Sequence, residues 1–338
     1  MKKSVAFLFI AVTVLSYGQR SDFNYLDFKK ADSIALLHKG AGLTNLPLLT
    51  HNLTHGLATD TEKFRALYTW VCTNIENDYS SYLRTSKKRK KLSKDREAFL
   101  QWNNSFTPKV FEKLVQSRKT ACTGYAYLIS ELASLADIDC KIINGYGRTA
   151  TLFLGPESVP NHSWNVVKLN NKWYLCDATW SSGRIILEEN GPEFKPDYYD
   201  GYFLADPALF IKNHYPLQID WAMLAEPPTF NQFLEGPVVY KDSFQWSIIP
   251  TLPEKMIVDA KKNEAVLFKL EVPNTSQNNR ISLLLQKGGA SQTVNPIITQ
   301  NQKEYNLQYS FEKTGLHDVH IKMDSTVIAT YVVKVRRQ

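Results

Sequence analysis

Three short runs within residues 120–180 decide how the chain reads: Thr120-Ala121-Cys122-Thr123-Gly124-Tyr125-Ala126, Asn161-His162-Ser163-Trp164-Asn165, and Tyr174-Leu175-Cys176-Asp177-Ala178-Thr179-Trp180. They present a cysteine, a histidine and an aspartate in that order, each in its own local setting. Such residues can supply a thiolate nucleophile, a general base and a group that orients the base. After the cysteine, apolar residues recur at Tyr125, Leu128, Ile129, Leu132, Leu135 and Ala136, a spacing that predicts a helix with one buried face. Cys122 falls at the head of that helix, ahead of its apolar stripe. Unpaired first-turn N–H groups and the positive end of the helix dipole favour an anion there and lower a thiol's pKa. Gly124 is read as keeping the backbone near the sulfur uncluttered. Taken alone, a free cysteine is more often a small buried hydrophobe.

The other two runs add geometry. Residues 162–169 and 172–179 read as strands, and Asn170-Asn171 suits a two-residue hairpin turn because asparagine tolerates positive φ. Pairing Leu169 with Lys172 sets Asp177 opposite Trp164. His162 then lies diagonal to Asp177 on the same face, about 7–8 Å away at Cα level, within reach of an imidazole–carboxylate hydrogen bond. A slip of one residue would send the two side chains to opposite faces.

The combination Cys122-Thr123-Gly124-Tyr125-Ala126, His162-Ser163-Trp164-Asn165 with Val167, and Trp173-Tyr174-Leu175 with Asp177-Ala178-Thr179-Trp180 resembles the transglutaminase-like superfamily, which has a papain-like core. It is most similar to the bacterial and kyphoscoliosis-peptidase-like members. The resemblance extends upstream to residues 60–71, similar to the family's first core helix. Downstream it takes in residues 202–207, His214-Tyr215-Pro216 and Trp221, so it covers roughly residues 55–225. It implies that Cys122 is the nucleophile, His162 the base and Asp177 the orienting acid. An oxyanion donor belongs beside the nucleophile's N–H in papain-like chemistry. Trp102, with Gln101 and Asn103, and the cleft residue Trp164 are the candidates, although packing is the commoner job of a tryptophan.

Around this core the chain divides. Lys2 and Lys3, an apolar run over residues 5–15, and Ser16 and Gly18 before Gln19 read as a signal peptide over residues 1–18. The expectation is an exported protein, periplasmic or secreted, with no membrane span in the mature chain. Residues 22–58 read as a helical entry and a loop, and Thr59 or Asp60 can cap a helix running to about Ile75, with Glu62 in its first turn. A short helix is expected from Pro108. Glu226-Pro227-Pro228 and Gly236-Pro237 mark a junction. Beyond it, β-rich runs at residues 238–249, 265–272, 281–286, 305–311, 319–323 and 327–335 alternate with turn residues, as in an Ig-like sandwich. The expected fold is therefore α+β: a transglutaminase-like, papain-like domain over residues 19–228 and a C-terminal Ig-like β-sandwich over residues 229–338.

Net charge is +7, of which Lys2 and Lys3 contribute two, too modest to argue for a nucleic-acid partner. The run Lys87-Lys88-Arg89-Lys90-Lys91 lacks interleaved aromatics and reads as a solvated loop. Cys72, Cys140 and Cys176 read as mostly buried thiols, with room for a single bridge in an exported protein. No cysteine or histidine spacing matches a metal site, no calcium loop is visible, and the chemistry needs no cofactor. The expected activity is cysteine-dependent amide hydrolysis or acyl transfer on a protein or peptide substrate, those of the cell envelope included. A catalytically silent binding or scaffold protein on the same fold is the alternative.

Overall fold

The computed structural model describes residues 18–92, 94–152, 154–189, 191–272 and 280–337; the signal-peptide reading lies outside the described residues up to position 17. Two helices precede the core: α1 (Lys29–Leu37) and α2 (Leu46–Thr54). The second stands where the sequence reads as loop. Asn45 caps it by accepting from the Leu48 N–H at 3.0 Å, and Pro47 sits in its first turn, where a missing N–H is harmless. The expected helix follows as α3 (Asp60–Asn74), started by a reciprocal capping box between Thr59 and Glu62.

Two elements differ from the sequence reading. The basic run at 87–91 lies on a helix, α4 (Tyr79–Leu92), none of whose residues is buried. A helix with no apolar stripe is invisible to periodicity, and straight-chain lysines and arginines are good helix formers. The expected short helix at Pro108 is part of one longer helix, α5 (Arg96–Ser117), with the proline inside it. After the parallel pair β1 (Glu76–Asn77) and β2 (Lys119–Thr120), α6 (Cys122–Leu135) begins at the cysteine, as its spacing predicts.

A four-stranded antiparallel sheet carries the rest of the core. Its order is β5 (Lys172–Cys176), β4 (His162–Leu169), β3 (Cys140–Gly147) and β8 (His214–Pro216); a separate hairpin, β6 (Gly183–Glu188) with β7 (Gly191–Pro196), lies between in sequence. Leu169 pairs with Lys172 and Asn165 with Cys176, and Asn170 and Asn171 both take positive φ, so the hairpin has the expected register and turn. One face of the sheet packs Val167, Leu169 and Tyr174 against Phe64, Leu67 and Val71 of α3 and Tyr125, Leu128 and Leu132 of α6. The other face packs Trp164, Val166 and Leu175 against Tyr202 and Phe210. Burial of both faces explains why β4 reads as nearly continuous rather than alternating burial.

Two short helices, α7 (Ala178–Ser182) and α8 (Pro207–Phe210), follow β5 and β7 in sequence, and the C-terminal part opens with α9 (Phe230–Glu235), β9 (Val238–Val239) and α10 (Lys241–Trp246). The sequence reads residues 238–249 as strand; a helix interrupts it because Lys241, Asp242, Gln245 and Trp246 do not alternate in hydrophobicity. Two sheets then face each other. One contains β10 (Ile249–Leu252), β12 (Ala265–Glu271), β16 (Glu304–Ser310) and β15 (Ile297–Asn301). The other contains β11 (Ile257–Lys261), β18 (Thr326–Arg336), β17 (Gly315–Met323), β13 (Ile281–Lys287) and β14 (Ala290–Val294), with β9 also paired to β18. Phe268, Leu270, Leu283, Leu307, Val319, Ile321 and Tyr331 fill the space between them. This is a β-sandwich of the Ig-like kind. No helix among the described residues is long and apolar enough to cross a membrane.

Candidate active site

Cys122 is the first residue of α6, and Ala121 before it gives that helix no side-chain cap, so its leading N–H groups face whatever anion stands at the helix head. The strand bearing the histidine is pinned to this helix: Asn165 on β4 donates to the Ala126 carbonyl, one turn into α6, at 2.9 Å. Arg89 on α4 reaches the same helix head, its Nη2 donating to the Thr123 hydroxyl at 3.2 Å. Burial pushes the Cys122 thiol up. The hydrogen bond and charge of His162, then the charge of Arg89 and a backbone hydrogen bond at Ser163, outweigh burial and bring the thiol below its ordinary value.

His162 opens β4 and directs Nε2 at Asp177 Oδ2, 2.6 Å away, which leaves Nδ1 for Cys122. Burial alone would depress the imidazolium, but the charge and hydrogen bond of Asp177, reinforced by Cys122, push it up to about 10. A lowered thiol beside a raised imidazole is the signature of a thiolate–imidazolium pair.

Asp177 is wholly buried and saturated with donors. Its Oδ1 accepts from the N–H groups of Thr179 at 2.8 Å and Trp180 at 3.1 Å, which makes it the N-cap of α7 (Ala178–Ser182). Its Oδ2 receives His162 and, at 3.0 Å, Nε2 of His214. Burial would raise this carboxyl, but the charge and bond of His162, then those of His214, hold it well below the usual carboxylate range. Tyr68 on α3 fixes the neighbouring backbone by donating to the Asp177 carbonyl at 2.9 Å.

The sequence reading left His214 outside any site. It lies on β8, brought in by the pairing of His214 with Gly147 on β3. Burial depresses it to about 4, so the ring is neutral at neutral pH. With its Nε2–H given to Asp177, Nδ1 carries no hydrogen and accepts a hydrogen bond instead. The Asn213 carboxamide lies 2.6 Å from that Nδ1 and 3.0 Å from the Tyr202 hydroxyl. A half-turn of the carboxamide, exchanging its O and N, offers NH2 to Nδ1 and its oxygen to the Tyr202 O–H. The residues behind the histidine thus form one chain: Tyr202, Asn213, His214, Asp177, His162.

His162, Asp177 and His214 also form a donor set of the kind that holds metals, with one ligand atom from each lying within 4.8 Å of the others. The spacing argues for hydrogen bonds. Ligand atoms about 2.1 Å from a tetrahedral zinc lie roughly 3.4 Å apart, whereas His162 Nε2 stands 2.6 Å from Asp177 Oδ2.

A cavity of about 400 Å³ opens beside Cys122 and His162, walled by Tyr82, Trp180, Tyr199 and Tyr240. Trp102 does not reach it; this side chain stacks on Phe106 along α5, ring centroids 5.0 Å apart. Trp164 does not line it either, packing behind the histidines at 5.2 Å from His214 and 5.9 Å from Phe210. Cys72, Cys140 and Cys176 are free thiols pushed up by burial, Cys140 to about 12. Among the four cysteines, Cys122 is the one whose thiol is lowered.

Residues 48–178 match the family model described as the transglutaminase-like superfamily. The chain is 29% identical over 268 residues to kyphoscoliosis peptidase of Homo sapiens, covering 75% of this chain and 36% of that protein. It is 25% identical over 234 residues to hillarin of Drosophila melanogaster, covering 66% of this chain and 26% of that one. The chain therefore spans between about a quarter and about a third of the length of these curated relatives. A solved structure described as a TGase is 14% identical, aligns with 52% of this chain and 37% of its own, and has a TM-score of 0.27, too low to carry an argument.

Proposed function

We propose that this chain, which carries a transglutaminase-like domain over residues 48–178, is a cysteine-dependent amide hydrolase or acyltransferase acting on a protein or peptide. The observation that carries the reading is the convergence of three side chains: Cys122 at a helix head, His162 on the same cavity, and Asp177 bonded to that histidine at 2.6 Å. The Cys122 thiolate attacks an amide carbonyl and a C–S bond forms. His162 gives its proton to the nitrogen as the C–N bond breaks, and the amine leaves. Water then gives a proton to His162 and attacks the thioester, and the C–S bond breaks to release the acid and restore the thiolate; an amine attacking in the same way gives a new amide. Helix-head N–H groups are the available stabilisers of the oxyanion. The name of the mammalian relatives, a peptidase, agrees with the hydrolytic branch.

The test is the rate of Cys122 alkylation by iodoacetamide against pH. We expect reactivity to persist well below the ordinary thiol pKa of about 8.5. In His162→Ala the profile moves up towards that of an ordinary thiol, and Asp177→Ala moves it the same way. The silent scaffold reading has one observation of its own, the near-complete burial of Cys122. It expects a thiol that stays inert, or responds to neither substitution in folded variants. Export is a separate proposal, resting on residues 1–18. An intact mass beginning at Gln19 supports it, and retained Met1 in secreted material sinks it.

A further inference from the structure

The cavity beside Cys122 is unevenly charged. Apart from His162, its charged lining residues among those described are Arg148, Arg184 and Lys241 against a single carboxylate, Asp197. Asp197 is already shared, paired with Lys241 and 3.9 Å from Arg184 Nε. Arg148 has no ion pair among the described residues. Its guanidinium donates to the backbone carbonyls of Phe233 at 2.8 Å and Gly236 at 2.6 Å. Those neutral acceptors engage two of its five N–H groups and leave its charge whole. Burial pushes its pKa down, the mark of a cation taken from water without a counter-charge. A desolvated, uncompensated cation is costly unless an anion completes it. Clamping the segment that leads into the sandwich accounts for the two carbonyl contacts. It does not account for the further positive charge on the same lining, where Arg184 and Lys241 share the one carboxylate.

We infer that the cavity takes an acyl donor with a carboxylate beside the attacked amide, that is, an acidic peptide or acidic side chain, recognised by Arg148, Arg184 and Lys241. The inference rests on the reading of Cys122 as the nucleophile, and its test separates the two.

The full chain is alkylated at neutral pH and low salt with iodoacetate and with iodoacetamide, and the rate ratio at Cys122 is compared with that of glutathione. His162 contributes to the preference for the anionic reagent in every variant, so the informative quantity is the change on neutralising the wall. Arg184 and Lys241 are partly exposed, and Arg184→Gln with Lys241→Gln leaves the core packing alone. We expect the iodoacetate preference to fall about fivefold in that pair at low ionic strength, and further in Arg184→Glu with Lys241→Glu. High salt should bring the wild type towards the neutralised pair. An unchanged ratio in both folded pairs overturns the inference while leaving the nucleophile intact. Should Cys122 resist both reagents, the nucleophile reading fails, and binding decides the charge question. An oligoglutamate peptide should then bind the Cys122→Ala protein more tightly than oligolysine, and lose that advantage in the neutralised pair; equal binding of the two peptides overturns it.

Discussion

At Asp177, two backbone N–H groups and two imidazoles converge on one buried carboxylate. Removing it in Asp177→Ala strands two buried histidines, and the cost should be about 3–5 kcal/mol, measured by urea unfolding. His214 gives the sharper test because its shift has a definite sign. It is held neutral in the folded chain, at about 4 against an ordinary 6.5. Its contribution is complete above 6.5. It is lost as pH falls from 6.5 to about 4, because over that interval the unfolded chain takes up a proton the folded chain refuses. Asp177 acts in a lower window, since its depressed carboxyl begins to lose stabilisation only as pH falls below 3.8. The unfolding free energy of the wild type, read from urea melts, should therefore drop between pH 6.5 and 4, by an amount on the order of 3 kcal/mol. His214→Gln, which keeps a donor for Asp177, should flatten that drop; a slope unchanged by the substitution would assign the sensitivity elsewhere. The placement of His162 beside Asp177 is legible in the sequence because hairpin arithmetic fixes which side chains share a face, and that of Cys122 because helical spacing sets it at the head of α6. That of His214 is not, since its position depends on a three-residue strand pairing with β3 from far along the chain.

The elements most legible in sequence are those with a local code: the Thr59–Glu62 capping box of α3, the apolar stripe of α6, and the Asn170-Asn171 turn. Helices α4 and α5 lack that code. One has no buried face, and the other carries a proline that reads as a start. Gly124 shows a subtler gap. The sequence suggests that it clears space near the sulfur, but a Cβ there would collide with the side chain of Thr120. The glycine makes room for the buried threonine just before the helix, and so sets how α6 leaves β2. Gly124→Ala improves intrinsic helix propensity by about 1 kcal/mol, yet overpacking at a rigid site costs about 1–3 kcal/mol. We expect a net loss of thermal stability together with slower Cys122 alkylation, because the helix head must shift. Gly124→Ala with Thr120→Ala, which removes the closest colliding atom, the Thr120 hydroxyl oxygen, should recover part of both; a neutral single substitution would show that the helix head is free to move.

Across the whole molecule, the packing does not stop where the sequence changes character. Val239, Phe244 and Ile249 belong to the same buried cluster as Trp164, Tyr202 and Phe210, and a Cβ on Gly201 would meet the Phe244 backbone. The domain division at residue 228 can be tested directly. Each fully buried apolar side chain of this size contributes about 1.5–3 kcal/mol. Residues 19–228 alone should therefore bind a hydrophobic dye and unfold with reduced cooperativity, and a dye-free, sharply melting fragment would establish that the core closes without the later residues. β9, whose Val239 lines the cavity beside Tyr240 and Lys241, pairs with Ala329 and Thr330 of β18, and the Tyr240 N–H donates to the Ile328 carbonyl at 3.1 Å. During synthesis the N-terminal part emerges first and begins to fold before the rest is made. The cysteine, the histidine and the aspartate can all be in place while the ribosome is still extending the chain. The wall that faces them waits for β18, so the order of translation holds the cleft unfinished until residues 326–336 have been made.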